Sequence, residues 1–420
     1  MKKFHHARLS IIAVVLGLSA ASTLLPLSAY ADTPAADTKA PTDVMRPEIS
    51  TPLIAAKALY DAKNIPDAIA KIAETDAVEN KTPYEIFAIE RTRATYFMAA
   101  GDKPKAIKAF EAVVATNYLK NADQLNLIQA IGQLDFQASD YPSTIVWMNR
   151  YIKEGGTDVR AQDVLNKAHY LNKDYAEAYK GINAQVQAEF AAGVTPSEQN
   201  LALLLSCMNA LGDKDGTLNA VVQLTTYYPS SKNWSYLVSQ IHTKPGFSEK
   251  LYLDIYRLKA ELSLMKTAAD YADMSELAQR AGLPAEAKKA LDMGFAAGVL
   301  DKKYTAQLDA ANRRAADDLK TMQQGEASAN KSKEGNGLIN LGMAFATAGQ
   351  FDKGASLIEQ GISKGGVSRL DEAKLHLGLV YYWAGKKDEA IKQLGTVEGA
   401  DGTAELAKYW IMQINHPLAK

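Results

Sequence analysis

Histidine and cysteine are the residues most often used as metal ligands and nucleophiles, and this chain has few of them. Beyond residue 31 there are four histidines, and Cys207 is the single cysteine of the chain. None of these residues stands beside another at a metal-ligand spacing, and the zinc motif HExxH is absent. We therefore predict no metal ligands and no bound cofactor. The four histidines are His169, His242, His376 and His416.

The motifs of common enzyme classes are also absent. The sequence contains no GxSxG, which places a nucleophilic serine, no GxxxxGK[ST], which holds phosphates, and no GxGxxG, which binds dinucleotides. Carboxylates are plentiful, and two of them facing each other across a helical array, as in all-α glycosidases, remain an alternative. We predict a non-catalytic protein without catalytic residues. The alternative is an envelope hydrolase that acts on glycan or peptidoglycan.

The composition limits the class of partner. The 420-residue chain carries 47 basic and 48 acidic residues, so it lacks the positive charge that nucleic-acid binding requires. No stretch after the N-terminal segment approaches the roughly twenty apolar residues of a membrane-spanning helix. We therefore expect neither a nucleic-acid partner nor a membrane span in the mature chain.

A helical hairpin is the clearest structural pattern, and it lies between Asp371 and Glu398. Leu375, Gly378, Leu379 and Tyr382 recur at helical spacing and predict one face of a first helix. A glycine then ends this helix, because only glycine turns the backbone there without a Cβ clash. Apolar residues at helical spacing follow and predict a second helix, with small residues where the two helices touch.

This hairpin resembles the tetratricopeptide repeat in its residues at the positions that define that family. Similar hairpins can be placed upstream, with anchors about every 36 residues, which is close to the family period. The residues that carry the resemblance are Leu377, Gly378, Tyr381, Gly385, Ala390 and Leu394. The upstream anchors are Ala56, Ala94, Gly132, Asn166, Leu205, Val238, Ser275 and Gly342, with a degenerate unit near Asp309.

The resemblance implies an all-α fold, a right-handed α-α superhelix (solenoid) of about nine to ten hairpins with a C-terminal capping helix. The polar segment before residue 336 lacks the repeat signature, and we predict a loop or hinge in its tail. The predicted regions are a signal peptide (1–31), a flexible linker (32–48), an N-terminal solenoid (49–300), a degenerate repeat or hinge (301–336), C-terminal repeats (337–400) and a capping helix (401–420).

The same resemblance implies a binding groove on the concave face, which is lined by the first helix of each hairpin. Amide side chains both donate and accept hydrogen bonds, so they suit an extended peptide backbone, and basic side chains suit a carboxylate. A polar, solvated face without a fixed ligand is the alternative. The candidate partner-binding residues are Arg91, Asn126, Gln129, Gln133, Arg160, Lys167, Tyr170 and Asn209.

The last two hairpins carry apolar residues at the equivalent positions. An exposed face of this kind would call for a partner, such as a second copy of the chain in a homodimer. The interpretation we favour is that the C-terminal helix covers it as a cap. The residues are Ile339, Met343, Leu375, Leu379 and Tyr382.

The N-terminal segment has the pattern of a secretory signal. A basic start is followed by an apolar run from Ile11 to Leu25 and by Ala29-Tyr30-Ala31, which fits the cleavage rule. We therefore predict a mature start near Asp32 and a periplasmic location, with secretion as the alternative. The sequence favours a scaffold or adaptor that binds a protein or peptide. An accessory subunit of an envelope transport or assembly complex is a further alternative.

Overall fold

The computed structural model describes residues 44–419, so the signal peptide and most of the linker lie outside the described residues. Over that range the chain forms twenty α-helices and three short 3₁₀ helices, and no β-strand occurs in it. Helices that follow one another in sequence pack together in pairs. The predicted all-α array of hairpins is therefore confirmed. The contacts between helices divide these residues into two compact units, 44–188 and 189–419.

The first unit contains four helix pairs, and the sequence marks where each second helix begins. Asn64, Asp102 and Asp140 precede α2, α4 and α6, and their side chains accept hydrogen bonds from backbone amides of the first turn at 3.5, 3.3 and 3.2 Å. A proline follows within the first two helical positions of each, where its missing N–H costs nothing. The helices are α1 (Pro47–Asp61), α2 (Ile65–Ala73), α3 (Pro83–Ala99), α4 (Lys103–Ala115), α5 (Asn121–Gln137), α6 (Tyr141–Lys153), α7 (Val159–Leu171) and α8 (Tyr175–Ala191).

Small residues let the paired helices approach closely, as the repeat pattern predicted. A Cβ added at Gly132 in α5 would lie 2.6 Å from the Cε of Met148 in α6, so the end of the Met148 side chain would have to move to admit it. The anchors Ala56 and Ala94 are fully buried. Because each anchor contacts its own second helix, the period of the small residues sets the period of the hairpins.

The pair α7 and α8 shows why one anchor lacks a small residue. Asn166 occupies the anchor position in α7 and is 1% exposed, and the small residue lies opposite it, at Gly181 in α8. A Cβ at Gly181 would lie 2.1 Å from the Asn166 Oδ1. The Asn166 Nδ2 donates to the Gln185 Oε1 at 3.1 Å, and the Gln162 Nε2 donates to the Asn166 Oδ1 at 2.9 Å. The hairpin still forms because the large side chain is on its first helix and the small residue is on its second.

The second unit begins with similar pairs and becomes irregular in the middle. The sequence predicts one long helix from Phe247 to Gln279, but the structure ends it at Glu261 and starts another at Ala268. Ser263 between them has a φ of 55°. The helices are α9 (Glu198–Leu211), α10 (Lys214–Tyr227), α11 (Ser231–Ile241), α12 (Tyr252–Glu261), α13 (Ala268–Arg280), α14 (Pro284–Ala296), α15 (Thr305–Lys331), α16 (Asn336–Thr347), α17 (Phe351–Lys364), α18 (Leu370–Trp383), α19 (Lys387–Leu394) and α20 (Thr403–Asn415).

The degenerate unit differs from its prediction. The sequence predicts a hairpin anchored near Asp309 and a loop or hinge after it, whereas the structure has one 27-residue helix, α15, as far as Lys331. Asp309 is exposed, and Ala311 is buried instead. The segment is rich in Ala and has no proline, and Gly325 lies inside the helix without ending it, so one helix runs through the segment. The structure therefore has no helix pair within residues 305–331, and the hairpin predicted there is wrong.

The last helices of the second unit return to its α12. The Tyr382 Oη in α18 donates to the Glu261 Oε1 at 3.0 Å, and the Ser248 N–H donates to the Asp401 carbonyl oxygen at 2.9 Å. Helix α20 also packs against α12. In a regular solenoid each repeat contacts only its neighbours. The contacts of α18 and α20 with α12 instead join helices that are not neighbours, and the sequence did not predict them.

This closure covers the apolar inner face of the last hairpin. Leu375 and Leu379 are fully buried in a cluster that includes residues of α11, α12 and α20. The C-terminal helix buries Leu406, Tyr409, Trp410 and Ile414 in the second unit. The predicted cap is confirmed for Leu375 and Leu379, and α11 and α12 share the covering with it. Ile339 and Met343, which are 6% and 3% exposed, lie in a separate cluster that includes residues of α12 to α15 and none of α20.

Candidate functional site

The predicted groove residues of the first unit lie mainly on α5 and α7. Asn126, Gln129 and Gln133 recur at i, i+3 and i+7 along α5, so they share one face of that helix. Asn126 is exposed, and Gln133 is half-buried. Neither of these two amides has a hydrogen-bond partner within residues 44–419. They are therefore available to a ligand.

The second group lies on α7, where Arg160, Lys167 and Tyr170 recur at i, i+7 and i+10. Lys167 is half-buried and makes no ion pair with any residue that the structure describes. The Tyr170 ring lies 5.5 Å from the ring of Tyr175 at the start of α8. Helices α5 and α7 are the first helices of adjacent pairs, and they contact each other.

Asp158 joins the two groups. Its Oδ2 accepts a hydrogen bond from the Gln129 Nε2 at 2.8 Å, and the Arg160 Nη2 donates to the same oxygen at 2.6 Å. The Arg160 guanidinium, which is the main cause, lowers the pKa of the Asp158 carboxyl, so this side chain is charged at neutral pH. Gln129 on α5 and Arg160 on α7 therefore meet at one carboxylate. We call the six predicted residues on these two contacting helices the first-helix surface. Its members are Asn126, Gln129, Gln133, Arg160, Lys167 and Tyr170.

Two of the predicted residues lie on helices other than α5 and α7. Arg91 is on α3, where its guanidinium lies 5.8 Å from the centroid of the Phe87 ring. Asn209 is on α9 in the second unit, and its Oδ1 accepts a hydrogen bond from the Thr217 Oγ1 at 3.3 Å.

The sequence analysis did not find a charged cluster that lies inside the second unit. Arg257 in α12 is 4% exposed, and its Nη1 donates to the Asp254 Oδ1 at 2.7 Å. Its Nε and Nη2 donate to the two carboxylate oxygens of Glu286 in α14 at 2.7 and 2.6 Å. The His376 Nε2 in α18 lies 3.1 Å from the Asp254 Oδ1. We call Asp254, Arg257, Glu286 and His376 the charged cluster.

Burial and pairing act in opposite directions in this cluster. Burial by itself would raise the pKa of the Asp254 carboxyl, but His376 and Arg257 beside it lower that pKa to about 2. Burial would lower the pKa of the Arg257 guanidinium, and the two carboxylates raise it instead. Asp254 is thus a carboxylate at neutral pH. Both carboxylates are buried and held by the Arg257 guanidinium, so the pair Asp254 and Glu286 does not favour the hydrolase alternative.

One sequence signal could have pointed to this cluster. Asp254 and Arg257 stand at i and i+3, among the residues Ile255, Leu258 and Leu262 that were predicted to face inward. Charges inside an apolar stripe need partners, because an unpaired buried charge is costly. The sequence could not supply the identity of the partners, since Glu286 and His376 come from other helices.

A cavity of about 410 Å³ lies beside the charged cluster. Aromatic and sulfur-containing residues form part of its wall, namely Phe351, Trp383, Trp410, Met274 and Met293. The Arg257 guanidinium lies 6.0 Å from the centroid of the Trp383 ring, and Glu286 and Lys289 add charged groups to the wall. We call this space the tryptophan cavity.

The described residues contain neither a cluster of possible metal ligands nor a helix that could span a membrane. Among residues 44–419 no three His, Cys, Asp or Glu side chains cluster so that they could hold a metal ion. No helix in that range has the length and apolar character required to cross a membrane. Cys207 is fully buried, and burial raises the pKa of its thiol to about 11, so it behaves as a small apolar side chain.

Comparison with known proteins gives matches among solved structures only. No protein-family profile matches the chain, and no curated protein sequence matches it. A tetratricopeptide repeat protein from Parabacteroides merdae ATCC 43184 is 10% identical, with 79% of this chain and 98% of that chain covered and a TM-score of 0.30. The TPR2AB domain of yeast Sti1 in complex with pHSP90 is 13% identical, with 70% and 98% covered and a TM-score of 0.24.

A third solved structure is Naa15/Naa10 bound to HypK-THB, which is 12% identical and has 88% of this chain and 61% of that chain covered, with a TM-score of 0.35. These values are too low to carry a conclusion about function. The hairpins of the chain itself carry the assignment of the fold, through the glycine and alanine anchors where paired helices touch. In fold and in repeat signature, this chain is similar to the tetratricopeptide-repeat proteins.

Proposed function

We propose that this protein is an exported, non-catalytic scaffold that binds a protein or peptide on the first-helix surface. The observation that carries the proposal is the hydrogen bond of Gln129 to Asp158, which places the polar groups of α5 and α7 side by side. On these two helices the side chains of Asn126, Gln133 and Lys167 have no hydrogen-bond or ion-pair partner in the described part of the chain. These side chains offer two amides and one ammonium group to a ligand.

The chemistry of this surface suits an extended segment of a partner. A peptide backbone presents alternating donors and acceptors, which the amides of Asn126 and Gln133 can both satisfy. Lys167 suits an acidic side chain or a terminal carboxylate. In the second unit the corresponding inner positions, Leu375 and Leu379, are fully buried. The proposal therefore rests on residues 44–188 only.

The test compares two triple variants of the full-length mature protein. The first replaces Asn126, Gln133 and Lys167 with Ala. The matched control replaces Lys108, Asn149 and Gln187, which are exposed residues of the same three types on second helices, with Ala. Each immobilised protein is incubated with envelope extract from the source organism, and the retained proteins are quantified by mass spectrometry.

We expect at least one partner to be retained by the wild type and by the control and to be lost at least about tenfold with the first variant, as for a cluster of contacts worth more than about 1.4 kcal/mol. Equal recovery of every partner by all three proteins would exclude the first-helix surface. Retention that is lost with the control variant alone would place the binding on the second helices.

The export part of the proposal rests on residues 1–31, which lie outside the described residues. Their basic start, apolar run and Ala-Tyr-Ala triplet support cleavage before Asp32 and a periplasmic location. The intact mass of the protein recovered from the periplasmic fraction tests this directly. A mass that includes residues 1–31, or recovery in the cytoplasmic fraction alone, would contradict it.

A further inference from the structure

Helix α3 carries a row of aromatic and basic side chains that the described chain does not fully cover. Tyr84, Phe87 and Arg91 stand at i, i+3 and i+7, so they share one face of the helix. Tyr84 and Phe87 are half-buried, and Arg91 is exposed. This face of α3 is therefore open to a ligand.

A third ring completes a cluster at the start of this row. Tyr118 lies in the connection between α4 and α5 and is also half-buried. Its ring centroid is 5.4 Å from that of Tyr84 and 5.5 Å from that of Phe87. The Arg91 guanidinium lies 5.8 Å from the centroid of the Phe87 ring, at the distance of a cation–π contact. We call Tyr84, Phe87, Arg91 and Tyr118 the aromatic stripe.

Arg91 is the charged side chain of α3 that the fold leaves without a counter-charge. The Glu85 carboxylate is fully buried and accepts hydrogen bonds from the Arg46 guanidinium, and the Glu90 carboxylate accepts one from the Arg93 Nη1 at 2.7 Å. Arg91 makes no ion pair with any residue from 44 to 419. Because the aromatic stripe thus carries a net positive charge, a partner that is complementary to it is negative at this point.

The geometry of the stripe suits two neighbouring residues of an extended chain. An aromatic side chain of a partner can pack against the three rings, and a carboxylate can accept two hydrogen bonds from the Arg91 guanidinium. The guanidinium is 5.8 Å from the Phe87 ring centroid, and an extended chain rises about 3.3 Å per residue, so adjacent residues of one segment reach both. Aromatic residues and arginine are also the side chains that contribute most to protein–protein binding.

We propose that the aromatic stripe binds an extended segment of a partner protein in which an aromatic residue stands next to an acidic residue. The three rings contact the aromatic side chain, and Arg91 binds the carboxylate. This inference rests on the proposed scaffold function and names the chemistry of the partner. It adds α3, the first helix of the pair that precedes α5 and α6, to the binding face.

The experiment uses three acetylated and amidated pentapeptides, with the sequences GWDEG, GWNQG and GLDEG. Each is titrated into the full-length mature protein and followed by ligand-detected proton NMR. We expect GWDEG to bind in a saturable manner, with a dissociation constant on the order of 1 mM or tighter. GWNQG lacks the carboxylates and GLDEG lacks the ring, so each should bind at least about threefold more weakly.

Variants then locate the site. Arg91→Gln should weaken GWDEG binding about threefold or more, and Arg93→Gln is the matched control, since it removes the same charge from the same helix at a residue that pairs with Glu90. Phe87→Leu keeps an apolar side chain and removes the ring, so it should weaken binding about threefold. Phe97→Leu, at a half-buried position on another face of α3, should leave binding unchanged. Thermal unfolding establishes that each variant is folded.

Three results would overturn the inference. The first is the absence of saturable binding of GWDEG by the wild type, and the second is binding of GWNQG as tight as that of GWDEG. The third is equal weakening by Arg91→Gln and Arg93→Gln, which would mean that net charge and not the aromatic stripe governs the affinity. The first two need no variant, so they hold even if Phe87→Leu fails to fold.

The triple variant with Ala in place of Asn126, Gln133 and Lys167 separates this inference from the proposed function. It should bind GWDEG as the wild type does. If it loses GWDEG binding while Arg91→Gln retains it, the peptide lies on α5 and α7, which would support the first-helix surface and overturn the aromatic stripe. Equal recovery of every partner from the envelope extract, with GWDEG binding intact, would exclude the first-helix surface and leave the aromatic stripe supported.

Discussion

The imidazole Nε2 of His376 lies 3.1 Å from the carboxylate Oδ1 of Asp254, across 122 residues of chain. This contact joins α18 to α12, and Arg257 extends it to Glu286 in α14. Three helices that are distant in sequence thus meet at one buried group of charges. Because each partner is satisfied only when all three helices are in place, the charged cluster specifies the closed arrangement of the second unit.

We expect Arg257→Met to destabilise the protein by about 3–5 kcal/mol, because it leaves the carboxylates of Asp254 and Glu286 buried without their cation. The free energy of unfolding from urea denaturation measures this. The same substitution at Arg280, whose side chain is 67% exposed and pairs with an exposed Glu276, should cost no more than about 1 kcal/mol. Similar losses of unfolding free energy at Arg257 and Arg280 would show that the charged cluster contributes no more to stability than an exposed ion pair.

Glycine should be required at the hairpin anchor Gly342 and dispensable at Gly325 in α15. A Cβ at Gly342 would lie 2.7 Å from the Gly354 carbonyl oxygen, which is backbone and cannot turn away. We expect Gly342→Ala to cost about 1–3 kcal/mol in unfolding free energy. Gly325→Ala is the matched control, because the nearest atom to its Cβ is Leu341 Cδ1 at 3.8 Å. It should stabilise the exposed helix by up to about 1 kcal/mol. Destabilisation by both would refute this explanation.

The effects of substitutions at Asn166 and Gly181 on stability should be coupled, because these two residues contact each other across their hairpin. Gly181→Ala alone should be destabilising through its clash with the Asn166 Oδ1, and Asn166→Ala alone should be destabilising through loss of its bonds to Gln162 and Gln185. The double variant should be more stable than the sum of the two losses predicts, by about 1–2 kcal/mol. A double-mutant cycle from urea unfolding gives this number, and strict additivity would contradict the coupling.

Asp135 should make the stability of the first unit depend on pH. It is 3% exposed, its Oδ2 has no hydrogen-bond partner within the described chain, and burial, with Asp140 and Glu111 nearby, raises its pKa to about 7. The folded protein therefore keeps this proton at pH values where the unfolded chain, with a carboxyl pKa of about 3.9, has lost it. The stabilisation is complete below about pH 4 and is lost as the pH rises through about 7.

Asp135→Asn keeps the shape and removes the ionisation. Its unfolding free energy relative to the wild type should therefore rise between about pH 5 and pH 8. Urea denaturation across that range measures the difference. Parallel profiles for the two proteins would show that Asp135 does not carry the pH dependence.

The sequence was a good guide wherever neighbouring residues decide the structure. Gly378 and Leu394 stand at repeat positions, and the structure packs them together, so that a Cβ at Gly378 would lie 2.6 Å from the Leu394 Cγ. The helix ends followed from local signals such as Asp102, Asp140 and Gly385, because capping and backbone freedom are local properties. Long polar stretches such as 305–331 were harder, since the turn residue Gly325 suggests a break that the helix does not make.

The candidate residues show the same division. The spacing of Asn126, Gln129 and Gln133 along α5 could be read from the sequence, because three residues on one helix face need only the helical period. Their link to α7 through Asp158 could not, since it depends on how two hairpins stack. The charged cluster was missed altogether, because Glu286 and His376 reach Arg257 only through the folded chain.

By itself, then, the sequence determined that this protein consists of helix pairs, where most of them begin and end, and which small residues let them touch. Only the tertiary structure decided that α18 and α20 return to α12, that the apolar face of the last hairpins is covered, and that a cavity lies beside Arg257. The physical reason is the range of the forces involved: helical period, capping and turn conformation act over a few residues. Closure depends on contacts such as that of His376 with Asp254, which the chain can form only when distant helices have already packed.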